Sequence, residues 1–578
     1  MTDAASPAPA PPDPSSAPDS DSDSDSAATG QALTRPVALV VLGLIAIAVL
    51  VQGLRPIIDL DLWWHMKLGE VLLAGEPDAS VDIFSHTHAG TDWHWKDAGG
   101  AILFHLLWRL AGPVAIIVFK ALMFAALAWL LWRLLHHERR VPASLAVVVL
   151  VVTLDAVAFR FTERAASISL VILVAVLVLV ERDRRGAKGL WWVVPLVVLN
   201  ANLHRAALLL PVVLWAYTVS CRVEALFVRA VDWRRAGWVA LAASIGCLVT
   251  PYGFEIVTTT VELMGKHSPL ITEWAPVSVA LVAALTPASF VTMAMTGLGT
   301  LLAQFRRPWS PWDLVLGTMA FGLGLGSMRH LPLLALLGAG PAAAGLALAG
   351  RAWTGRLRGA IALAAGGALL VSTLSRTVAL PGTALAPAHF PERGVEFVRE
   401  LPPHLRIRGA LLNEFGYGGF LLFHLWPEHR VYIDGRTDLV YPASFVQRYD
   451  QVVHQPKAFA QDVQQYGLEW VFLDNVPMDR ARLHFDLDPA WTLVHASRRA
   501  LIYVRRDGPN AALARQRGYR YLAAHDLVGS LQRAAARGHG QDALDELRRM
   551  LDEDPDNLYA VMALARLAPQ AAMAPAEP

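Results

Sequence analysis

The chain is poor in cysteine and in charge, and neither sign of charge dominates. Only two of its 578 residues are cysteine, Cys221 and Cys247, and both lie in or beside apolar runs, which excludes a disulfide framework. The 50 basic and 49 acidic residues leave a net charge of +1, so no electrostatic footprint for nucleic acid exists. Charged residues make up 17% of the chain, against about 25% in soluble domains.

Long apolar runs take the place of charge and raise the hydrophobic content to 54%. Several of them are near 15 residues, short of the roughly 20 that a straight span needs. The pair 189–203 and 206–221 forms either two spans or a re-entrant hairpin, and the segment 98–112 is expected at the membrane interface. The sequence therefore predicts an α-helical multi-pass membrane protein of about eleven spans. The candidate spans are 36–54, 113–132, 142–158, 166–180, 189–203, 206–221, 236–250, 277–303, 312–327, 331–349 and 359–375.

Lysine and arginine are unevenly divided between alternate loops. One set of loops holds 16 of them and the opposing short loops hold five. Because positive charge resists translocation, we expect the richer set and the N-terminus in the cytoplasm, in a protein of the cytoplasmic (inner) membrane. The long loop 55–112 and the chain after about 376 then lie outside. The richer loops are 133–141, 181–189, 222–235, 304–311 and 350–358, and the poorer ones are 159–165, 204–205, 251–276 and 328–330.

Composition divides the chain into four segments. Residues 1–35 are rich in Asp, Ser and Pro and are expected to form a disordered cytoplasmic tail, and 36–375 form the transmembrane domain. Residues 376–508 alternate helix and strand patterns, which predicts a small extracytoplasmic α/β domain. Residues 509–578 resemble a short tetratricopeptide-like helical segment. In the α/β domain a helix is predicted over 393–399 and strands over 409–413, 431–434, 470–474 and 501–505.

The first outer loop opens with acidic and aromatic side chains, in the order Asp-Leu-Asp-Leu-Trp-Trp-His from Asp59 to His65. Asp61 and His65 are four residues apart and would share a helix face, and Trp64 suits the headgroup level. A capped interfacial helix explains one aspartate and the tryptophans, but not the second carboxylate. Because ionisable groups beside hydrocarbon tend to mark function, we expect the chemistry on this face.

Metal binding stays open on the sequence alone. His86, His88, Asp92 and His94 have spacings that metal ligands use, but they lie in a loop without cysteine or a helical histidine pair, which is more typical of solvated residues. The neighbouring Asp59 and Asp61 also allow a shared divalent cation.

Short outer turns carry further ionisable residues. Taken singly, arginine and histidine at helix ends are explained by snorkelling to lipid phosphates. Taken together, they lie in the loops that are otherwise poor in positive charge, on the same face as Asp59 and Asp61. We therefore expect a shared basic pocket for an anionic headgroup opposite the two carboxylates. The candidates are Arg164, His204, Arg205, Arg329 and His330 for a phosphate, and Trp64, His65, Glu163, Glu273, Asp434 and Arg436 for other substrate contacts.

The order of these motifs resembles that of GT-C-type integral-membrane glycosyltransferases, and within them a group of bacterial multi-spanning proteins. The resemblance covers about residues 36–475. Thr250 replaces the asparagine that usually precedes Pro-Tyr-Gly, and Arg205-Ala-Ala replaces a Gly-rich segment. The motifs that carry it are Asp59 to His65, Asp82 to Thr87, Asn200 with His204, Thr250 to Gly253, Glu273-Trp274, Arg329 to Pro332, Gly418 to Leu421 and Tyr432 to Arg436.

The resemblance implies a general base at Asp59 or Asp61 and donor phosphate binding by the basic outer turns. The chain lacks a strand–Gly-rich loop–helix signature for a nucleotide pyrophosphate, and nucleotide sugars are cytoplasmic, so an outward-facing transferase would use a lipid-linked donor. The interpretation is an inverting glycosyltransferase that moves a sugar from a polyprenyl-phosphate to a hydroxyl on a glycan, lipid or protein acceptor. The rival interpretation is a non-catalytic envelope-assembly scaffold or a lipid-linked glycan transporter.

Overall fold

The computed structural model describes residues 34–76, 80–93, 97–263, 276–278, 287–306, 308–377, 385–386, 389–476 and 479–571. Long apolar helices dominate the first two thirds of this part. Its helices are α1 (Arg35–Gly53), α2 (Leu62–Ala74), α3 (Ala98–Trp132), α4 (Ala143–Ala158), α5 (Ala165–Arg184), α6 (Val193–Leu203), α7 (Leu209–Phe227), α8 (Trp233–Gly246), α9 (Glu255–Leu263), α10 (Pro287–Ala303), α11 (Pro311–Gly324), α12 (Leu331–Ala349) and α13 (Gly355–Thr377).

Each of the eleven predicted apolar runs overlaps one of these helices, which confirms the multi-pass helical class. Within the described residues, six helical stretches are both long and apolar enough to cross a membrane. They are Arg35–Gly53, Ala98–Glu138, Ala165–Arg184, Arg205–Phe227, Met328–Ala352 and Gly355–Arg376. The first expectation of the charge and hydropathy pattern, an integral membrane protein, therefore holds.

The segment 98–112 and the run 113–132 form one long helix with a break. Ala111 and Gly112 leave helical geometry, with Gly112 at a φ of +57°, and Pro113 follows inside the helix. Proline cannot donate the backbone hydrogen bond, and glycine adopts a positive φ without steric cost, so these residues fix the position of the break. The part of α3 before this break packs against α2, and the part after it belongs to the helix bundle.

Small residues allow close helix crossings in the bundle. A Cβ at Gly299 of α10 would lie 2.6 Å from Cα of Ala342 in α12, so only glycine permits this approach. A Cβ at Gly324 of α11 would overlap Leu334, whereas one at Gly322 would meet nothing within 4 Å. Close packing in the bundle therefore depends on particular glycines, such as Gly299 and Gly324, and not on every glycine of these helices.

The chain beyond the bundle forms a four-stranded sheet flanked by helices. Its strands are β1 (Ala410–Asn413), β2 (Leu468–Leu473), β3 (Trp491–Ala496) and β4 (Leu501–Arg505), in the order β1-β2-β4-β3. β1 and β2 are parallel, and the other pairs are antiparallel. The helices are α14 (Glu392–Glu400), α15 (Gly418–Leu425), α16 (Ala443–His454), α17 (Pro456–Tyr466), α18 (His484–Leu487), α19 (Ala511–Arg517), α20 (Leu527–Ala536), α21 (Gly540–Glu553) and α22 (Leu558–Ala571).

The predicted strand 431–434 is wrong as a member of this sheet. Val431 instead forms an isolated parallel bridge with Ser85 of the first outer loop, and the fourth strand is β3, which the sequence pattern did not indicate. The other three predicted strands and the predicted helix are confirmed within one or two residues. The small α/β domain is therefore present, while the tetratricopeptide character of the last helices stays a prediction.

Two large hydrophobic cores organise the described part of the molecule, beside a small cluster at Met328 and Leu331. One lies among the apolar helices. The other runs without interruption from α2 and the N-terminal part of α3 into the α/β domain, and it includes Trp63, Phe104, Phe420 and Trp470. Ile57 also bridges Leu385 in the segment that leads out of the bundle. The first outer loop is therefore built into the α/β domain, and the proposed boundaries at 376 and 508 stay predictions.

We predict that Gly299→Val destabilises the folded bundle, because the added side chain would overlap the backbone of α12. Overpacking costs about 1–3 kcal/mol or more, so the melting temperature of the detergent-solubilised protein should fall. Gly322→Ala is the matched control, since its Cβ meets no atom within 4 Å. Equal melting temperatures for the two variants would contradict the close crossing.

Candidate active site

Asp59 is the buried centre of the acidic outer motif. Its side chain is 1% exposed, and one oxygen, Oδ2, accepts hydrogen bonds from Nε of Arg164 and from Oγ1 of Thr162, the latter at 2.7 Å. The other oxygen accepts the backbone N–H of Asp61 at 2.9 Å. Burial alone would raise the pKa of Asp59. Arg164 and these hydrogen bonds lower it by more than burial raises it, so the pKa lies below its ordinary value. Asp59 is thus an ionised and enclosed carboxylate.

Asp61 is the accessible member of the pair. Its side chain is 28% exposed and lies 3.0 Å from Nη2 of Arg164, so a single guanidinium bridges both aspartates. The indole N–H of Trp64 donates to Oδ1 of Asp61 at 3.2 Å. Asp61 is also the residue immediately before α2, and the N-terminus of a helix favours negative charge. The carboxylate is therefore held in place and still reaches solvent.

The α/β domain contacts Asp61 through the loop that contains Asp434 and Arg436. A Cβ on Gly435 would overlap Oδ1 of Asp61, so a larger residue at this position would displace that carboxylate. Arg436 pairs with Asp434 and with Asp82 of the first outer loop, both at 2.7 Å, and all three side chains are fully enclosed. This ion triad fastens the loop to the domain. The assignment of Asp434 and Arg436 to substrate contact stays a prediction, and the geometry favours a positioning role.

A second polar chain lies beside α2. Nε2 of His65 is 3.9 Å from Oδ2 of Asp97, and the backbone N–H of Arg205 donates to Oδ1 of Asp97 at 3.1 Å. His65 stacks on Trp64, with ring centroids 3.5 Å apart, and its Nδ1 lies 2.9 Å from the carbonyl oxygen of Asp61. Burial alone would raise the pKa of Asp97, but His204, the hydrogen bond from His65 and the charge of Arg205 outweigh burial, so this pKa lies below its ordinary value. Asp97 therefore connects the first outer loop to the turn that contains His204 and Arg205.

His204 is held neutral. Burial lowers the pKa of His204 to about 4; Asp97 opposes this shift, while Arg205 and Arg164 add to it. Near pH 7 this imidazole offers hydrogen bonds and not charge.

Arg160, Arg329 and His330 form a basic cluster at the same end of the bundle. Arg160 lies close enough to His330 to act on it electrostatically, so the turn before α5 lies next to the 3₁₀ turn Met328–His330. Phe159 packs against the buried pair Met328 and Leu331. Arg160 is four residues from Arg164, which joins this cluster to the aspartates through one short turn.

Glu163 has a structural environment. Its side chain is buried, forms an ion pair with Lys120 of α3, and accepts the backbone N–H of Ile58 at 3.4 Å. Nζ of Lys120 also donates to the carbonyl of Arg55 at 2.7 Å. These contacts hold the loop between α1 and α2 against α3 and α5. Glu163 therefore supports the position of Asp59, and its assignment as a substrate contact stays a prediction.

Two histidines of the predicted metal pattern, His86 and His88, contact the α/β domain. His86 lies 2.8 Å through Nε2 from the carbonyl of Leu411, and His88 packs edge-on to Tyr441 and Phe445. His94 and Glu273 lie outside the described residues. Among the residues that are described, no group of three or more His, Cys, Asp or Glu side chains is arranged to hold a metal ion.

The sequence reasoning missed Asp97, Thr162, Arg160 and Gly435. Thr162 and Arg160 flank residues already selected, and their position in the same short turn was the available signal. Asp97 shares no local pattern with His204, because the two are far apart in sequence and meet only through packing of α3 against the α6–α7 junction. Gly435 could not be distinguished from a glycine that simply makes a turn.

Comparison with known proteins supports the fold. No protein-family model and no curated protein matches the sequence significantly. The structure is similar to the archaeal oligosaccharyltransferase AglB from Archaeoglobus fulgidus in complex with an inhibitory peptide and a dolichol-phosphate, with 12% identity, 75% of this chain and 69% of that chain covered, and a TM-score of 0.56. Its apo form gives 12% identity, the same coverage and a TM-score of 0.55. ArnT from Cupriavidus metallidurans bound to undecaprenyl phosphate gives 13% identity, 82% and 98% coverage, and a TM-score of 0.49.

The chain therefore has the fold of the GT-C-type integral-membrane glycosyltransferases, as the resemblance of its motifs predicted. The aspartates, Arg164 and the basic turns lie at one end of the helix bundle, where it meets the α/β domain.

We predict that the protein loses stability as the pH falls from about 6.5 to 4, because His204 is neutral when folded and protonates when unfolded. The folded pKa of about 4 lies below the ordinary 6.5, so stability is complete above 6.5 and declines down to the folded pKa, by about 3 kcal/mol at most. His204→Gln should flatten the pH dependence of the unfolding free energy. His539→Gln, at an exposed histidine, should retain the wild-type slope, and an unchanged slope in both would refute the assignment.

Proposed function

We propose that the chain is an integral-membrane glycosyltransferase that moves a sugar from a polyprenyl-phosphate donor to a hydroxyl group of a glycan, lipid or protein acceptor. The observation that carries the proposal is the guanidinium of Arg164 between a buried and an exposed aspartate at one end of the bundle. Such a pair of aspartates supplies a carboxylate that is held in place and can act as a general base next to the membrane. The dolichol-phosphate held by the archaeal oligosaccharyltransferase of similar fold supports a lipid phosphate as the donor class.

Asp61 is the better candidate for the general base. Both oxygens of Asp59 already accept protein hydrogen bonds and its side chain is 1% exposed, so an acceptor hydroxyl cannot reach it. Asp61 is 28% exposed and is oriented by Arg164 and Trp64. Asp59 and Arg164 then act as positioning residues that hold Asp61 ionised and in place.

The reaction follows from these roles. Asp61 removes the proton of the acceptor hydroxyl, and the resulting oxygen attacks the anomeric carbon of the donor sugar. The bond from that carbon to the phosphate oxygen breaks, and polyprenyl phosphate leaves with the electron pair. One displacement with one base gives inversion at the anomeric carbon, whereas a covalent two-step route would need a second accessible carboxylate.

The departing phosphate needs positive charge, and Arg164 is committed to the two aspartates. Arg205 on the α6–α7 junction, Arg160 and Arg329 add positive charge at this end, with the neutral His204 as a hydrogen-bonding neighbour of Arg205 and with His330 next to Arg329. A divalent cation shared by Asp59 and Asp61 would compete with the guanidinium of Arg164 for the same place. The arrangement therefore favours a reaction that uses arginine for charge neutralisation.

Sidedness completes the proposal. The charge asymmetry of the loops favours an orientation in which this end of the bundle and the α/β domain lie outside the cytoplasm, on the outer side of the inner membrane. Nucleotide sugars do not reach that compartment, which is a further reason for a lipid-linked donor.

We predict that Asp61→Asn abolishes sugar transfer by the reconstituted protein, because a general base contributes about 10²- to 10⁴-fold to rate. The measurement is transfer of radiolabelled sugar from a membrane-derived pool of polyprenyl-phosphate sugars in proteoliposomes. Asp59→Asn should lower both activity and melting temperature, since it leaves Arg164 without its buried partner.

Asp92→Asn is the matched control, because Asp92 is an exposed carboxylate of the same outer loop, outside the ion pairs of the site. It should retain wild-type transfer. Full transfer by Asp61→Asn would remove the mechanism, and no transfer by the wild-type protein from any polyprenyl-phosphate donor would favour the scaffold interpretation.

A further inference from the structure

A cavity lies at the end of the bundle opposite Asp59 and Asp61. It has a volume of about 510 Å³, within the range of about 300–1,000 Å³ that ligand pockets occupy. It opens between the turn before α4, the end of α12 and the start of α13, and its apolar wall includes Leu145 and Leu348. Its polar wall consists of five arginines, Arg139, Arg140, Arg306, Arg351 and Arg358.

Other arginines at this end are neutralised by buried acids. Arg184 pairs with Glu224 at 3.2 Å, Arg229 pairs with the same glutamate at 2.7 Å, and Arg235 pairs with Asp183. The inner turns, which the sequence presents as simply basic, are thus tied to carboxylates at the helix ends.

The cavity arginines differ from this pattern. Arg139 is neutralised by Glu181 and Asp313 behind the wall. Among the described residues, no carboxylate forms an ion pair with Arg140, Arg351 or Arg358. Within the part of the chain that the structure describes, these three arginines give the cavity an excess of positive charge.

Arg358 gives the strongest indication of a ligand. Its side chain is only 7% exposed, and its buried Nε has no hydrogen-bond partner in the described structure. An arginine that served only as a cationic anchor at the membrane surface would extend its guanidinium into water. A buried donor without a partner is unfavourable, so an anion in the cavity that accepted a hydrogen bond from Nε of Arg358 would stabilise this wall.

Two further features of this wall involve the backbone at Arg140 and at Gly340. Arg140 has a φ of +53°, a strained conformation for a residue other than glycine. The guanidinium of Arg139 packs over Gly340 of α12, where a Cβ would lie 2.6 Å from Cζ. Packing on Gly340 holds the guanidinium of Arg139 at the cavity, while Arg140 lies exposed at the rim in a strained backbone conformation.

We infer that this cavity binds a phosphate group, through Arg358 and Arg140, on the face of the membrane opposite the proposed active site. Arginine binds phosphate oxygens in bidentate geometry, and several guanidiniums around one cavity suit a dianion or a phosphodiester. The apolar wall beside the arginines fits a phosphate that carries a hydrocarbon chain. The phosphate can come from a lipid headgroup of that leaflet or from a soluble phosphate, and the inference is independent of the proposed transferase activity.

The test measures binding to the full-length protein purified in detergent. Native mass spectrometry counts bound dioleoyl-phosphatidylglycerol against dioleoyl-phosphatidylcholine, and thermal unfolding is followed with each lipid and with inorganic pyrophosphate at constant ionic strength. Selective retention of phosphatidylglycerol identifies a lipid headgroup, and stabilisation by pyrophosphate alone identifies a soluble phosphate.

Arg358→Gln should weaken the binding of the effective probe at least about tenfold, as expected for loss of one charge-assisted contact. Arg140→Gln, at an exposed side chain, should weaken it as well and keeps the test decisive if Arg358→Gln fails to fold. Arg356→Gln is the matched control, because Arg356 lies on the same helix and does not line the cavity. Binding of neither probe, or equal loss in Arg356→Gln and in Arg140→Gln, would overturn the inference.

Discussion

The bridge between Arg164 and the two aspartates is the interaction on which the end of the helix bundle next to the α/β domain depends. Two carboxylates two residues apart repel each other, and Asp59 is buried, so its charge without a partner would cost several kcal/mol. Arg164 at the start of α5 compensates both charges at once, while Thr162 of the same turn completes the shell of Asp59. The loop after α1, the start of α2 and the turn before α5 are thereby fixed relative to one another.

A second ionic contact ties this arrangement to the α/β domain. Arg436 holds Asp82 of the first outer loop and Asp434 of the domain in a cluster with no exposed side chain. The glycine between Asp434 and Arg436 then lies directly against Asp61. Removal of either acid would leave a buried guanidinium partly unpaired, so the triad works as a unit. The accessible carboxylate is therefore positioned from two sides, by the bundle through Arg164 and by the domain through Gly435.

The sequence allowed the helical class, most spans and the acidic motif to be predicted, because apolar run length and loop charge are local properties. It did not distinguish the burial of Asp59 from the exposure of Asp61, since that difference arises from Arg164, more than a hundred residues away. The strand pattern at 431–434 misled for a related reason, because Val431 pairs with Ser85 of the first outer loop and not with the sheet. Asp97 was not selected, since its meeting with the turn of His204 depends on helix packing alone.

The most direct measurement is a cryo-electron microscopy structure of the protein in nanodiscs with polyprenyl phosphate added. The account predicts phosphate density at the bundle end that contains Asp61, within hydrogen-bonding distance of Arg205, Arg160 or Arg329, with Arg164 still bridging Asp59 and Asp61. A lipid phosphate that occupied only the opposite end of the bundle, or a structure in which Arg164 had left the aspartates to bind it, would contradict the account.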